Sequence, residues 1–476
     1  MSALKSRILR NTVALAAGGV LAQFAFLAVE GLIARRLGEA GYGVFSTVYA
    51  ISLASLFLID LGTTWKLIQD GARDESRLPQ LLGTTLLLKL ALFVVVYPAT
   101  WGLLVLAGYD GVTIGFFGVF FWFALSLALQ DSFTGVYAAR QRMHVNALFQ
   151  SLVPVFVLLL MVVLTARGAT LAEVALAYVG GSAIVTCLWG WLTFRETRPR
   201  PAPDTIRSLV AGSWLYGVSS LCSHIFTKLP ILMLSLLRDM AEVGIYAAGA
   251  KLLDLANKIP VLLSRVLAPG LFKQSHADRA AHRAACTLLI RYAAVAAVSS
   301  AMLLFVAAET LIGQIFGDAY RDAVPILQIL AVSFAFRFLS VTIEMVLSTA
   351  DRHSQRARSV ATATVLNAVL SASAIPLWGA VGAAAAMLIS ELLLLCLYFR
   401  AAQAVIGRAA STRAIAGPLA LAAGTVALVE GLAGDAPSSA SVLLTAPGAV
   451  LVLFALLVLT RYIRLRELRL LLAAPS

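Results

Sequence analysis

Seven basic side chains stand inside long apolar stretches: Lys89, Lys228, Lys251, Lys258, Arg265, Arg291 and Arg337. Acidic residues inside such stretches, or near their ends, are Glu30, Asp60, Asp131, Asp254, Glu309, Glu344 and Glu391. A charge at the centre of a bilayer costs about 2.5–3.5 kcal/mol, and a Leu or Ile returns only about 0.3–0.6 kcal/mol. The densest group is Lys251, Asp254, Lys258 and Arg265. Its three cations recur every seventh residue, so on an ideal helix they drift only about 20° per step and form one basic stripe about 21 Å long. Asp254 follows Lys251 by three residues and precedes Lys258 by four, so it can pair with either. Four charges facing lipid would cost on the order of 10 kcal/mol, so this stripe must face water or protein.

The group has two readings, a structural ion-pair triad or a surface that holds a phosphate- or pyrophosphate-bearing anion. Lys228 and Arg337 add cations near mid-depth, and Glu344, seven residues after Arg337, shares its helix face. The cations gather in the second half of the chain, whereas Glu30, Asp60 and Asp131 dominate the first. The expected site is a cavity between the halves, basic on one wall. Lys228, Lys251, Lys258 and Arg337 are its candidate substrate-binding cations. Asp60, Asp131, Asp254 and Glu344 are the candidates for ion coupling or charge balance. Arg265 and Arg291, close to the ends of their segments, can snorkel to water. Glu30 and Glu309 near the outer ends are read as solvated, and Glu391 as a tether between neighbouring helices.

Other chemistry is missing from the sequence. The histidines at 144, 224, 276, 282 and 353 form no HExxH or paired-ligand pattern; four lie in or beside loops, where solvated roles are expected. Cys187, Cys222, Cys286 and Cys396 have no CxxC spacing and read as small apolar core residues. No GxxxxGK[ST] loop is present to cradle nucleotide phosphates. We therefore expect no metal, no cofactor and no enzymatic activity. The net charge of +13 would suggest nucleic acid in a soluble protein, but no basic stretch is interleaved with aromatics, so no nucleic-acid partner is expected.

Of the 476 residues, 60% are hydrophobic and 13% charged, and the mean hydropathy is +0.90. Soluble domains carry about 45–50% apolar and about 25% charged residues, so only a lipid-solvated surface accommodates this chain. About 20 apolar residues cross a bilayer. The candidate spans are 11–34, 42–65, 81–106, 114–137, 146–166, 171–194, 209–236, 243–268, 286–312, 323–349, 358–377, 381–399, 414–433 and 441–461. The first, preceded by Lys5, Arg7 and Arg10, is too long for a signal peptide and is read as a retained helix. With a cytoplasmic N-terminus, one set of loops holds 25 of the 37 basic residues and the opposite set five, Arg35, Arg36, Arg167, Arg238 and Arg321. That asymmetry is the positive-inside pattern, with both termini cytoplasmic. The expected fold is thus an all-α, multi-pass membrane protein of about 14 transmembrane helices. Pro98, Pro230, Pro260, Pro325, Pro376 and Pro418 fall in or at the edges of spans, where bends are tolerated.

The prolines at 199, 201 and 203 make 195–208 a semi-rigid cytoplasmic linker. It separates an N-terminal lobe of six spans (1–194) from a C-terminal lobe of six (209–400), leaving 401–476 for two further spans and a basic tail. A weak internal echo supports two halves: Tyr42-Gly43-Val44-Phe45 opens span 2 and Val243-Gly244-Ile245-Tyr246 opens span 8, 201 residues later.

Asn11-Thr12, then Ala34-Arg35-Arg36-Leu37-Gly38 running into Gly41-Tyr42-Gly43-Val44-Phe45, then Asp60-Leu61-Gly62, form a recognisable series. It resembles the polysaccharide biosynthesis, or Wzx-type O-antigen flippase, family of the multidrug/oligosaccharidyl-lipid/polysaccharide (MOP) exporter superfamily. The resemblance implies two six-helix lobes of MATE-like, alternating-access design. It implies a flippase that moves undecaprenyl-pyrophosphate-linked oligosaccharide from the cytoplasmic to the outer leaflet of a bacterial plasma membrane. It implies membrane lipids as surroundings, and glycan polymerase or glycosyltransferases as partners. Relatives carry cations in a central cavity, which Lys228, Lys251, Lys258 and Arg337 match by depth rather than by motif. In related lipid II flippases two extra C-terminal helices form a groove for the lipid tail, which spans 13 and 14 would supply here. The competing readings are a drug/cation antiporter of the same superfamily, expected to have twelve spans and an acidic cavity, and a non-transporting scaffold for glycan assembly, which would not need charges at mid-depth.

Overall fold

The computed structural model describes residues 2–407 apart from 165–167, 169, 203, 278 and 351. Within these, side chains are described except at 2–21, 205, 207–208, 211–224, 265–266, 268–270, 273–274, 276–277 and 353. Spans 13 and 14 and the basic tail lie outside the described residues. What is described is α-helical, with short 3-10 turns and no strand among the described residues.

In the first unit, Met1–Gly244, the helices are α1 (Ser2–Asp60), α2 (Thr63–Arg73), α3 (Leu78–Leu106), α4 (Gly111–Phe120), α5 (Trp122–Ala139), α6 (Met143–Leu164), α7 (Leu171–Glu196) and α8 (Asp204–Leu237). The start of α9 (Met240–Ala256) closes this unit. The rest of α9 opens the second unit, Ile245–Ser476, with α10 (Lys258–Ala277), α11 (Arg279–Val306), α12 (Ala308–Ile315), α13 (Ala323–Thr349) and α14 (His353–Ile406). Eight stretches of the described residues are long and apolar enough to cross a membrane. Large apolar side chains such as Val94, Leu106, Val163 and Leu377 are exposed on them, as a lipid-solvated surface requires.

Two of these helices are folded back on themselves. α1, 59 residues, breaks at Gly38 (φ 69°) and α14, 54 residues, at Gly379 (φ 55°), a backbone conformation open chiefly to glycine. Tyr42 Oη donates to Glu30 Oε2 at 2.8 Å, although twelve residues of straight helix would put them about 18 Å apart. Asn367 likewise reaches Met387 Sδ, 3.3 Å away across the bend in α14. Each long helix therefore supplies two of the expected spans.

Span 2 was expected to run to residue 65, but α1 ends at Asp60, and Leu61 and Gly62 take positive φ (48° and 76°). The Asp60 carboxylate accepts from the Gly62 amide at 3.1 Å and from Thr64 Oγ1 at 2.7 Å, and so holds the turn from which α2 starts. A second break interrupts the expected basic stripe. α9 ends at Ala256, Asn257 turns, and α10 begins at Lys258. Pro260 has no N–H to bond the Ala256 carbonyl, so Lys251 and Lys258 do not share one continuous helix.

The Pro-rich segment is tied down. Arg200 N donates to Pro79 O at 2.8 Å, and Ala202 N to Thr84 Oγ1 at 3.0 Å. The chain runs so close over Gly83 that a Cβ there would meet the Arg200–Pro201 backbone. α8, expected in the C-terminal lobe, packs within the first unit against α1, α2 and α3. The first unit's core is aromatic: Phe45, Phe120 and Tyr178 lie with ring centroids 5.3–5.7 Å apart, and Phe149 stacks on Trp189 at 5.0 Å. In the second unit α13 is the central helix, contacting α10, α11, α12 and α14.

The glycines of the internal echo have a packing role. A Cβ at Gly43 would overlap the Met240 carbonyl, and one at Gly244 would overlap the Glu39 carbonyl. With no hydrophobic effect between helices in lipid, such close backbone approach is how helices gain contact. Gly43→Val should therefore cost about 1–3 kcal/mol or more, measured as a lowered Tm in detergent. An unchanged Tm would refute the close crossing.

Candidate functional site: two charge clusters in the helices

The first cluster lies in the first unit and is organised by Lys89. Its side chain, on α3, is fully buried. An ammonium has three N–H donors, and three oxygens receive them: Asp60 Oδ1 at 2.7 Å, Thr64 Oγ1 at 2.9 Å and the Ala128 carbonyl of α5 at 2.7 Å. Asp60 is saturated as well. Besides Lys89 it accepts from Gly62 N, Thr63 Oγ1 and Thr64. Asp131 lies three residues after Ala128 and hence on the same side of α5. The charges that act on it are Lys89, attractively, and Asp60, repulsively. The structure thus brings together Asp60 and Asp131, two of the expected acidic residues, around a cation to which sequence reading gave no role. A signal for Lys89 was present: a lysine deep in an apolar helix requires a counter-ion, and Asp60 and Asp131 are acids of comparable depth in that half.

The second cluster lies in the second unit. Arg337 Nη1 on α13 donates to Glu391 Oε1 on α14 at 3.4 Å, with the Glu391 side chain 1% exposed. The other groups acting on Arg337 are Glu344, Tyr398 and Asp254. Glu344 is also paired to Arg356 Nε at 3.4 Å, and Arg356 donates to Ser348 Oγ at 3.3 Å. Arg356 counts as a loop cation in the sequence but joins this chain of alternating charges. Arg337 is accordingly a compensated cation, and Glu391 ties α14 to α13. The Oε2 atom of Glu391 has no hydrogen-bond partner among the described residues.

The remaining candidates are distributed. Lys228 is partly buried on α8 of the first unit; Lys251 and Asp254 are partly buried on α9, and Lys258 is exposed at the first position of α10. Of the four candidate cations, Lys251, Lys258 and Arg337 belong to the second unit. Arg265 is on α10, and its side chain lies outside the described ones.

Four residues outside the site differ from expectation. Glu30 is 2% exposed and takes its hydrogen bond from Tyr42 instead of water. His282 is buried, with Nε2 3.1 Å from Thr349 Oγ1, because α11 begins at Arg279 and draws it into the helix packing. Cys187 and Cys396 are exposed, since an apolar residue in a membrane helix can face lipid as readily as core. No group of three or more metal-ligating side chains occurs among the described residues.

Comparison with known proteins places this geometry in a family. Residues 8–275 match the model of the family described as "Polysaccharide biosynthesis protein". A search of curated proteins finds no match. Among solved structures, the lipid II flippase MurJ in an inward closed conformation superposes with TM-score 0.77 at 11% identity, covering 96% of this chain and 99% of its own. An inward-facing multidrug resistance MATE family transporter of the MOP superfamily gives 0.68 at 14% identity, over 81% of this chain and 94% of its own. A MOP superfamily transporter from Pyrococcus furiosus with a binding pocket of reverse polarity gives 0.56 at 14% identity over 84% of this chain and 95% of its own. These likenesses show the fold. With the fold of MurJ and MATE transporters, and with more than half its length matched by the family model, this multi-pass membrane protein belongs to the polysaccharide biosynthesis protein family.

Proposed function

We propose that the protein is a flippase that moves undecaprenyl-pyrophosphate-linked oligosaccharide from the cytoplasmic to the outer leaflet of a bacterial inner membrane by alternating access. The observation that carries this reading is the likeness to the lipid II flippase over nearly the whole of both chains, joined to membership of a polysaccharide biosynthesis family. The cations assigned to the pyrophosphate in this reading are Lys228, Lys251, Lys258 and Arg337. Both termini are cytoplasmic in this reading, which follows the basic-residue asymmetry of the loops.

Deleting the gene should remove surface glycan and trap lipid-linked intermediates in the inner leaflet, and the wild-type gene should restore export. Glycan export unchanged by the deletion would end the flippase reading, and drug efflux would be measured next. The likeness to multidrug transporters keeps that second reading available, but it places no demand on the basic residues of α9, α10 and α13.

A further inference from the structure

Asp60 and Asp131 are different kinds of acid. Asp60 is spent: its carboxylate holds Lys89 and the turn at Gly62, and Lys89 in return uses all three of its donors. Asp131 makes no hydrogen bond among the described residues, yet lies within the field of both. The group of three ionisable side chains therefore carries one negative charge too many whenever Asp131 is ionised. It is set well inside the helices. Lys89 is eleven residues from the start of α3, about 16 Å, and Asp131 eight residues from the end of α5, about 12 Å. These two helix ends lie on the same side, because Arg140 after α5 pairs with Glu75 just before α3 at 2.7 Å.

Among the described side chains, the cation that acts on Asp131 is Lys89. Of the elements packed on α5, α3 contributes Lys89 and α1 contributes Asp60; Glu30, Arg35, Arg36 and Glu39 of α1 lie around its bend at Gly38, roughly 30 Å along the helix from Asp60. α2 carries Lys66 and Asp70, which pair with each other at 2.8 Å, and Arg73, exposed in its last turn. α7 carries Glu173, which caps its own helix, Glu196, which pairs with Arg140 and Arg142 at the far end of α5, and Arg195, exposed over the Trp191 ring in its last turn. α4 has no ionisable side chain, and His144 of α6 is exposed at that helix's start. A metal ion is disfavoured beside this ammonium. The carboxylate, hydroxyl and carbonyl oxygens that would ligate sodium already surround the Lys89 ammonium, and a second cation beside it would be repelled. A proton needs no ligand set. The cluster is not sealed either, because the Asp60 side chain is 17% exposed and Asp131 is only partly buried.

We propose that Asp131 is a proton-binding site of the transport cycle, with Lys89–Asp60 as a built-in counter-ion pair that occupies the place of a metal cation. Protonating Asp131 leaves Lys89 wholly to Asp60. Losing the proton makes Asp131 compete for the same ammonium, and Asp60 is the residue that holds the break between α1 and α2. The protonation state of α5 is in this way read out at a helix break. The role in transport rests on the flippase reading above; proton binding itself does not.

Acid-minus-alkaline infrared difference spectra of the purified full-length protein test the binding without any substrate. Wild type should show a protonated-carboxyl C=O band that shifts in D2O. Asp131→Asn should remove that component, Asp131→Glu should restore it, and Asp318→Asn in an exposed loop should leave it in place. An Asp131→Asn spectrum indistinguishable from wild type overturns the proposal. In cells, a protonophore should arrest glycan export by wild type, whereas Asp131→Asn should have lost the protonophore-sensitive part. Export that responds to sodium removal and ignores the protonophore also overturns it. If export never depends on the protein at all, the flippase reading fails while the infrared result stands on its own.

Discussion

Exchanging Lys89 for Met should destabilise the protein by about 3–5 kcal/mol, the usual cost of removing one partner from a buried ion pair. The reason is local. The fully buried ammonium serves Asp60 at 2.7 Å and the Ala128 carbonyl at 2.7 Å, and it is the cation acting on Asp131 among the described residues. Without it two carboxylates remain in a low-dielectric site with no counter-charge. A lowered Tm of the detergent-solubilised protein is the readout. The double variant Lys89→Met with Asp60→Asn should regain much of the loss, because Asn keeps an acceptor for the Gly62 amide while the second charge disappears. A single variant as stable as wild type would show that the pair does not hold α1, α2 and α5 together.

The second large effect concerns Arg337. Truncating it alone confounds two roles, since Glu391 would be left buried without its partner. Removing both charges with Arg337→Gln and Glu391→Gln separates them: the tie between α13 and α14 becomes neutral, and folding should survive. If Arg337 holds the pyrophosphate, this double variant should still lose about 1.5–3 kcal/mol of binding, roughly ten- to a hundredfold in export at limiting substrate. Lys258→Ala, at an exposed position, should lower export with little change in Tm. Normal export by both variants, with normal membrane insertion, would remove these cations from the site.

Much of the architecture was legible because the bilayer imposes it. Every backbone group in hydrocarbon must be satisfied within its own helix, so apolar length alone marks the helices. The expected spans from 11 to 399 fall on helical residues apart from the turns that divide them and from 165 and 166, which lie outside the described residues. Breaks were legible only where a special residue causes them. Pro260 could have located the turn at Asn257. The turn at Leu61–Gly62 looks like any glycine in an apolar run until the Asp60 carboxylate is seen to hold it.

The sequence by itself determined the class, the family and the inventory of charges within the membrane, because composition, span length and the Gly-Tyr-Gly and Asp-Leu-Gly segments are properties of neighbouring residues. Tertiary structure alone decided the partners. Asp60 meets Lys89 and Glu391 meets Arg337 across sequence gaps of tens of residues. In a soluble helix an apolar stripe would have shown which face turns inward. In these helices core and lipid are equally apolar, so periodicity could not tell whether Glu30, Lys89 or Cys187 points inward. A buried ion pair is fixed by which helix faces meet, and that is settled only by packing.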